Sequence, residues 1–338
     1  MFNFKNDYNK IAHKNILEAM LKYSNEPNIG YGLDIHSNNA KELIKKHLNN
    51  DNVDIHFVVG GTIANKIVID SALRPYEAVI SVNTGHICVH ETGAIEHTGH
   101  KIITVNGKDG KILPEEIEYV VRTHTDEHMV YPKLVYITQS TEVGTLYTKE
   151  ELINIYNTCK KYNLYLFLDG ARLSVALDKS DITLSDLSKY TDVFYIGGTK
   201  IGAMLGEAIV INNDSLKPNF RYSIKQNGGM YSKGFVAGIQ FEELFKDNLY
   251  FELGKNENYT AELLSKNLIK LGLKLEYECI TNQIFVNVSN KLYEELKNIV
   301  LFELWEDKID SKVIRLVTSF DTTEKEVNEF IEVLKTLL

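Results

Sequence analysis

The chain has 338 residues, 44% hydrophobic and 25% charged, with a formal net charge of −9 and a pI near 5.6. That balance excludes a phosphate-backbone partner, because nucleic-acid binding needs concentrated Lys and Arg. The length exceeds what one core usually serves, so one large and one smaller domain are expected. Met1 to Lys10 mixes Asn, Lys, Asp and Tyr with no apolar segment, and no run of about 18 apolar residues follows, so neither a signal peptide nor a membrane span is expected. Cys88, Cys159 and Cys279 are odd in number, far apart and without a CxxC, which suits reduced thiols in a cytoplasmic setting better than a disulfide framework. Only five basic residues are arginine: Arg74, Arg122, Arg172, Arg221 and Arg315. Where lysine serves for generic charge, a retained arginine points to planar, bidentate recognition of a carboxylate or phosphate.

From Ile55 onward short apolar runs alternate with amphipathic, helix-length segments, the pattern of βα repeats around a mostly parallel, buried sheet with helices on both faces. The predicted strands are Ile55–Val59, Ala78–Val82, Ile102–Val105, Leu134–Ile137, Leu164–Leu168, Val193–Ile196 and Ala208–Ile211. The predicted helices include Ala64–Ala72, Pro114–Arg122, Lys149–Tyr162 and Leu184–Lys189. Pro114 followed by Glu115 and Glu116 is a helix opening in which proline suits the first turn and acids suit the dipole. After about Asn213 the character changes. A polar, Gly-containing segment (Lys225–Gly238) leads to a long helical stretch, then strands at Leu273–Tyr277, Gln283–Val288 and Val313–Thr318, a helix from Lys291 and a last helix from Thr323. These elements read as a small α+β domain. The expected division is an N-terminal arm (1–30), a large domain (31–240) and a small C-terminal domain (241–338).

Four segments carry chemistry. Leu164-Tyr-Leu-Phe-Leu-Asp-Gly-Ala-Arg172 is a buried-strand pattern ending in an acid and an arginine, placed where open α/β sheets bind ligands; the plainer reading of Asp169 is a turn cap. Val193-Phe-Tyr-Ile-Gly-Gly-Thr-Lys200-Ile-Gly202 sets a lysine in a tight turn after a strand. Desolvation there lowers an amine's pKa and makes it a nucleophile for Schiff-base chemistry, although a loop lysine is the plainer reading. Phe57-Val-Val-Gly-Gly-Thr62 runs from a strand into a helix, so free backbone N–H groups, Gly61 and Thr62 can cradle a phosphate. No Walker motif and no G-x-G-x-x-G follows any strand, which counts against a nucleotide or dinucleotide. The fourth segment, Thr84 to Ala94, contains His86 and His90, with His97 and His100 beyond. Four histidines in fifteen residues suggest a metal, yet H-x-x-x-H-E is not H-E-x-x-H and no cysteine pair supports one, so no metal site is assigned. His86 reads better as a group lying flat on a cofactor ring, and the other three as ordinary polar histidines.

Taken in order, Gly30-Tyr-Gly-Leu-Asp34, Gly60-Gly-Thr62, His86 to Ala94, Asp169-Gly-Ala-Arg172, Lys200, Asn227-Gly-Gly-Met230 and Ile314-Arg-Leu-Val-Thr318 resemble the threonine aldolase and β-eliminating lyase family. These are pyridoxal 5'-phosphate (PLP) enzymes of fold type I, and the resemblance spans essentially the whole chain. It implies that Gly61 and Thr62 hold the cofactor phosphate, His86 stacks on the pyridine ring, Asp169 pairs with the ring nitrogen and Lys200 carries the cofactor. It implies further that Arg172, beside the cofactor, and Arg315 grip the substrate carboxylate, with Asn6 and Asp7 as an N-terminal polar pair near the substrate. The implied reaction cleaves the Cα–Cβ bond of a β-hydroxy-α-amino acid to glycine and an aldehyde. β-Elimination and transamination are the alternatives, since the cofactor supplies the reactivity common to all three. A homodimer or homotetramer is implied as well.

The chain also departs from the family pattern. The segment that carries a second active-site histidine in family members reads Ile137-Thr-Gln-Ser-Thr-Glu142 here, which leaves His86 or a water near Thr141 or Glu142 to take the β-hydroxyl proton. The lysine turn is Gly-Gly-Thr-Lys instead of Leu-Ser-Lys, and Tyr231 and Lys233 stand where an arginine is common.

Overall fold

The computed structural model describes residues 1–338. A two-residue strand, β1 (Phe2–Asn3), opens the chain, and all seven runs predicted as buried strands then form one sheet. They are β2 (Asp54–Val58), β3 (Glu77–Val82), β4 (Ile102–Val105), β5 (Tyr131–Thr138), β6 (Tyr165–Asp169), β7 (Val193–Gly197) and β8 (Glu207–Ile211). Their spatial order is β2-β8-β7-β6-β5-β3-β4, parallel throughout except for β8, which runs against both of its neighbours.

Side-chain alternation along these strands feeds two apolar layers, one on each face. Leu166, Leu168, Phe194 and Ile196 join the layer closed by Ala237, Phe241 and Phe245, whereas Phe167, Val193 and Tyr195 join the layer closed by Ala64, Ile67 and Val68. Burying each large apolar side chain contributes roughly 1.5–3 kcal/mol, so covering both faces explains why the strands read as near-continuous apolar runs.

The helix after β2 is Gly61–Ala72, three residues longer at its start than the predicted Ala64–Ala72, so Gly61 and Thr62 are its first residues. Pro114–Thr123 begins at the expected proline. Lys149–Lys161 is opened by a reciprocal cap in which Glu151 N–H donates to Thr148 Oγ1 (3.2 Å) and Thr148 N–H donates to Glu151 Oε2 (2.8 Å).

Two features go beyond the sequence reading, the second of them a correction. The polar, Gly-containing segment Lys225–Gly238 has helical residues at both ends, from helices Phe220–Gln226 and Phe235–Phe245. Gly238 serves close packing and not a turn. A Cβ there would come within 2.4 Å of the Ser37 backbone nitrogen on the helix Ile35–Leu48. The second is an additional strand in the C-terminal part. There β9 (Lys274–Leu275), β10 (Gln283–Ser289), β12 (Glu303–Asp307) and β13 (Ser311–Val317) form an antiparallel sheet in the order β12-β13-β10-β9, while β11 (Val300–Leu301) pairs with β1. Strand β12, Glu-Leu-Trp-Glu-Asp, was not predicted because it is a bulged edge strand with few buried positions. Helices Leu249–Lys270 and Glu324–Lys335 cover this sheet and bury Leu264, Leu268, Phe330 and Leu334 with Val286 and Leu316. Phe4, fully buried, belongs to that same core. No helix is long and apolar enough to cross a membrane.

Candidate active site

Parallel strands deliver their following turns to one edge of the sheet, and ligands in open α/β folds bind at that edge. Here it receives Gly60 and Gly61 after β2, Thr84 and His86 after β3, Glu142 after β5, Asp169 at the end of β6 and Lys200 after β7. Because β8 is antiparallel, its first residue, Glu207, reaches the same edge. Strands β12 and β13 add Trp305 and Arg315 from across the cleft. Gly61, Thr62, His86, Asp169, Arg172, Lys200 and Arg315 therefore line one cavity. Asn6 does not line it: its side chain accepts from the Tyr8 backbone N–H (3.2 Å), and Tyr8 forms the wall instead.

Asp169 is 3% exposed and fully engaged. Oδ1 accepts from Tyr195 Oη (2.5 Å) and the Ala171 N–H (3.0 Å), and Oδ2 accepts from Tyr136 Oη (2.6 Å) and Asn65 Nδ2 (3.0 Å). Strand alternation creates this arrangement, since Tyr136 and Tyr195 flank Asp169 from β5 and β7 on the face covered by the helix carrying Asn65. Burial alone would raise the Asp169 pKa. The His86 charge and the bonds from Tyr136, Tyr195 and Asn65 outweigh it and hold the carboxyl below its ordinary range. Burial and the Asp169 charge push both tyrosines far up, so they stay neutral donors.

His86 is bound through Nδ1 to Glu91 Oε1 (2.8 Å), which also accepts from Asn65 Nδ2 (2.7 Å). Burial disfavours the cation, but the bond to Glu91 and the fields of Glu142 and Asp169 win and raise the pKa of His86. The other histidines diverge. His100 binds the Glu77 carbonyl away from the cavity, His97 is exposed, and His90 lies at the cavity rim beside Trp305.

Burial, followed by the Arg172 cation, lowers the pKa of Lys200 and favours a free amine. Glu207 anchors its turn, accepting from the Gly198 N–H (2.8 Å) and from Thr199 Oγ1 (2.8 Å). Burial pushes Glu207 up to about 7. Arg172 spends one side of its guanidinium on Asp7: Nε donates to Oδ2 (2.6 Å) and Nη2 to Oδ1 (3.2 Å). Asn282 supports Asp7 in turn (3.0 Å). Arg315 is less committed. Its Nη1 meets Gln283 Oε1 at 3.3 Å, its guanidinium lies 5.3 Å from the Trp305 ring centre, and its Nε is buried without a partner.

The sequence reading missed Asn65, Tyr136, Tyr195, Glu207 and Trp305. Their signal is weak because each lies inside an apolar run, at a strand start or on an edge strand, and its role depends on a neighbouring element.

These residues fit PLP. The helix Gly61–Ala72 has no side-chain cap on its first N–H groups, and the space at Gly60 is open, which suits a phosphate on a helix N-terminus. Thr84 Oγ1 and Ser140 Oγ are buried beside the cavity without partners. Asp169 would offer a carboxylate to a protonated ring nitrogen, and Lys200 an amine.

Comparison with known proteins agrees with this chemistry. Residues 12–291 match the family model of the beta-eliminating lyases. The low specificity L-threonine aldolase of a Pseudomonas strain is 33% identical over 318 residues, covering 92% of this chain and 90% of the relative. The solved threonine aldolase of Leishmania major shares 48% identity, covers 100% of this chain and 99% of its own, and superposes with a TM-score of 0.98. An aspartate aminotransferase of Thermus thermophilus, 16% identical with a TM-score of 0.71, shares the fold alone, which is fold type I. The chain belongs to the beta-eliminating lyase family of PLP-dependent enzymes.

Proposed function

We propose that this protein is a low-specificity threonine aldolase, which cleaves a β-hydroxy-α-amino acid between Cα and Cβ to give glycine and an aldehyde. The observation that carries the proposal is the saturated Asp169 carboxylate standing in one cavity with the Lys200 amine. PLP, when bound, withdraws the electron pair of a bond broken at Cα. Gly61, Thr62 and the uncapped helix start would hold its phosphate, His86 would cover its ring, Asp169 would keep its nitrogen protonated and Lys200 would anchor it as a Schiff base. The resemblance to named aldolases over nearly the full chain supports this reaction above the alternatives.

The substrate carboxylate belongs to Arg315 first, because Asp7 already occupies one side of Arg172. A planar guanidinium grips a carboxylate with two bonds and so fixes the orientation of Cα. Stacking on Trp305 holds the Arg315 plane in place. Lys200, its pKa lowered, serves as the amine that moves protons at Cα.

A cytoplasmic homo-oligomer acting on free amino acids completes the reading. The test is to load the purified protein with PLP, supply threonine and measure three products separately. Glycine with acetaldehyde is expected; ammonia with a keto acid, or amino-group exchange, replaces the proposal with β-elimination or transamination.

A further inference from the structure

We propose that Glu142 is the base that accepts the β-hydroxyl proton during carbon–carbon cleavage; the inference rests on the reaction proposed above. Most carboxylates at this sheet edge are committed. Asp169 accepts four hydrogen bonds, Glu91 accepts from Asn65 and His86, Glu207 ties down the lysine turn, and Asp7 holds Arg172. Glu303, half-buried on β12 and opposite Arg315 in the β12–β13 register, makes no side-chain hydrogen bond either but is carried on the edge strand across the cleft. Glu142 is different. It is 8% exposed, it lines the cavity, and neither of its oxygens makes a hydrogen bond within the chain. Its oxygens open onto the cavity and are free to accept from a bound group.

Its place is central. It lines the same cavity as His86, His90, Arg172, Lys200 and Arg315. An amino acid spanning Lys200 and Arg315 through its α-substituents must turn its β-substituent toward the remaining wall, and Glu142 belongs to that wall. His86 is the poorer acceptor, because Nδ1 donates to Glu91 and its raised pKa moves the ring toward the cation. The turn that presents Glu142 is built without its side chain: the Thr141 N–H donates to the Thr145 carbonyl (2.9 Å), the Gly144 N–H to the Thr141 carbonyl (2.9 Å), and the two threonine hydroxyls meet at 2.7 Å. Replacing the side chain therefore leaves the turn intact.

In the step assigned to it, a Glu142 oxygen takes the hydroxyl proton, the O–H electron pair becomes the second bond of the aldehyde C=O, and the Cα–Cβ bond breaks. The pair from that bond stays with Cα, which then takes up one proton, so that glycine leaves. One proton is lost at oxygen and one gained at carbon, and neither oxidant nor reductant is needed.

The test compares Glu142→Gln and Glu142→Asp with wild type, all loaded with PLP, by three readouts: threonine cleavage, exchange of the glycine Cα proton in D2O, and the visible absorption of the bound cofactor. Exchange breaks no carbon–carbon bond and needs no base at a β-oxygen. Glu142→Gln is expected to lose at least about 100-fold in cleavage, a typical loss for a general base. Exchange should stay within about threefold and the absorption band should remain, while Glu142→Asp recovers part of the cleavage. A smaller loss, or exchange falling as far as cleavage, overturns the assignment. If Glu142→Gln does not retain the band, Glu142→Asp carries the same comparison. A wild-type protein that releases no glycine and aldehyde refutes the reaction itself, whereas wild-type cleavage with an unimpaired Glu142→Gln refutes only the role of Glu142.

Discussion

Asp169 ends β6 and Glu142 follows the adjacent strand β5; both carboxylates are buried in one cavity, yet Asp169 accepts four hydrogen bonds and Glu142 none. The same contrast separates the two arginines, since Arg172 is held by Asp7 while Arg315 keeps a buried, unpartnered Nε. In the proposed reaction, the groups that would hold one charge state through every turnover are those saturated by fixed partners. Those that would meet a substrate keep hydrogen-bonding capacity free and are carried on the turn after a strand or on the second, antiparallel sheet. Preorganised electrostatics needs the first kind, and binding that strengthens as the reaction proceeds needs the second.

That contrast breaks most visibly at Asp169. Asp169→Asn keeps the shape but cannot keep a ring nitrogen protonated, and the amide faces the two tyrosine hydroxyls with one acceptor fewer. Turnover should fall at least about 100-fold while cofactor is still retained. Near-wild-type turnover in steady-state assays would remove Asp169 from its role.

At the free end, Arg315→Lys should raise the apparent KM about tenfold or more with a smaller effect on kcat, because a point charge replaces a two-pronged grip. Unchanged KM and kcat would make Arg315 a packing residue against Trp305.

The smallest effect sharpens the comparison at Glu207, which is saturated but carried on the edge next to Lys200. Its folded pKa is raised from 4.5 to about 7, so its protonated form favours the fold. That stability is fully present below pH 4.5 and is lost as pH rises through about 7. Glu207→Gln removes the titration. In thermal unfolding of the cofactor-free protein, the stability difference between pH 5 and pH 8.5 should narrow by up to about 2.5 kcal/mol. Parallel pH profiles for variant and wild type would show that Glu207 does not titrate in this range.

Much of the site was legible because its chemistry sits in local patterns. Asp169, Lys200 and Gly61-Thr62 each follow a buried run directly, and parallel strands bring such turns together without further information. The partners that tune them were not legible. Tyr136 and Tyr195 look like ordinary members of apolar strands, and only the pairing of β5 with β6 and the placement of β7 turn their hydroxyls onto Asp169. Asp7 and Arg172 are 165 positions apart, and the N-terminal strand and Phe4 must dock before they can meet. Glu207 depends on one strand running backwards, and Trp305 on a bulged edge strand whose acids disguise it. In the fold, the seven buried strands stood out because both faces are apolar, whereas the bulged edge strand β12, with no buried position, did not.

The account stands on one bond, the Schiff base that Lys200 is held to form with PLP. Borohydride reduction of the yellow, PLP-loaded protein followed by peptide mapping is predicted to place the label on Lys200 alone among 32 lysines, and Lys200→Ala should lose the visible absorption and the turnover together. A label on any other lysine, or a protein that takes up no PLP, would contradict the roles given to Asp169, to the helix start at Gly61 and to the cavity they share.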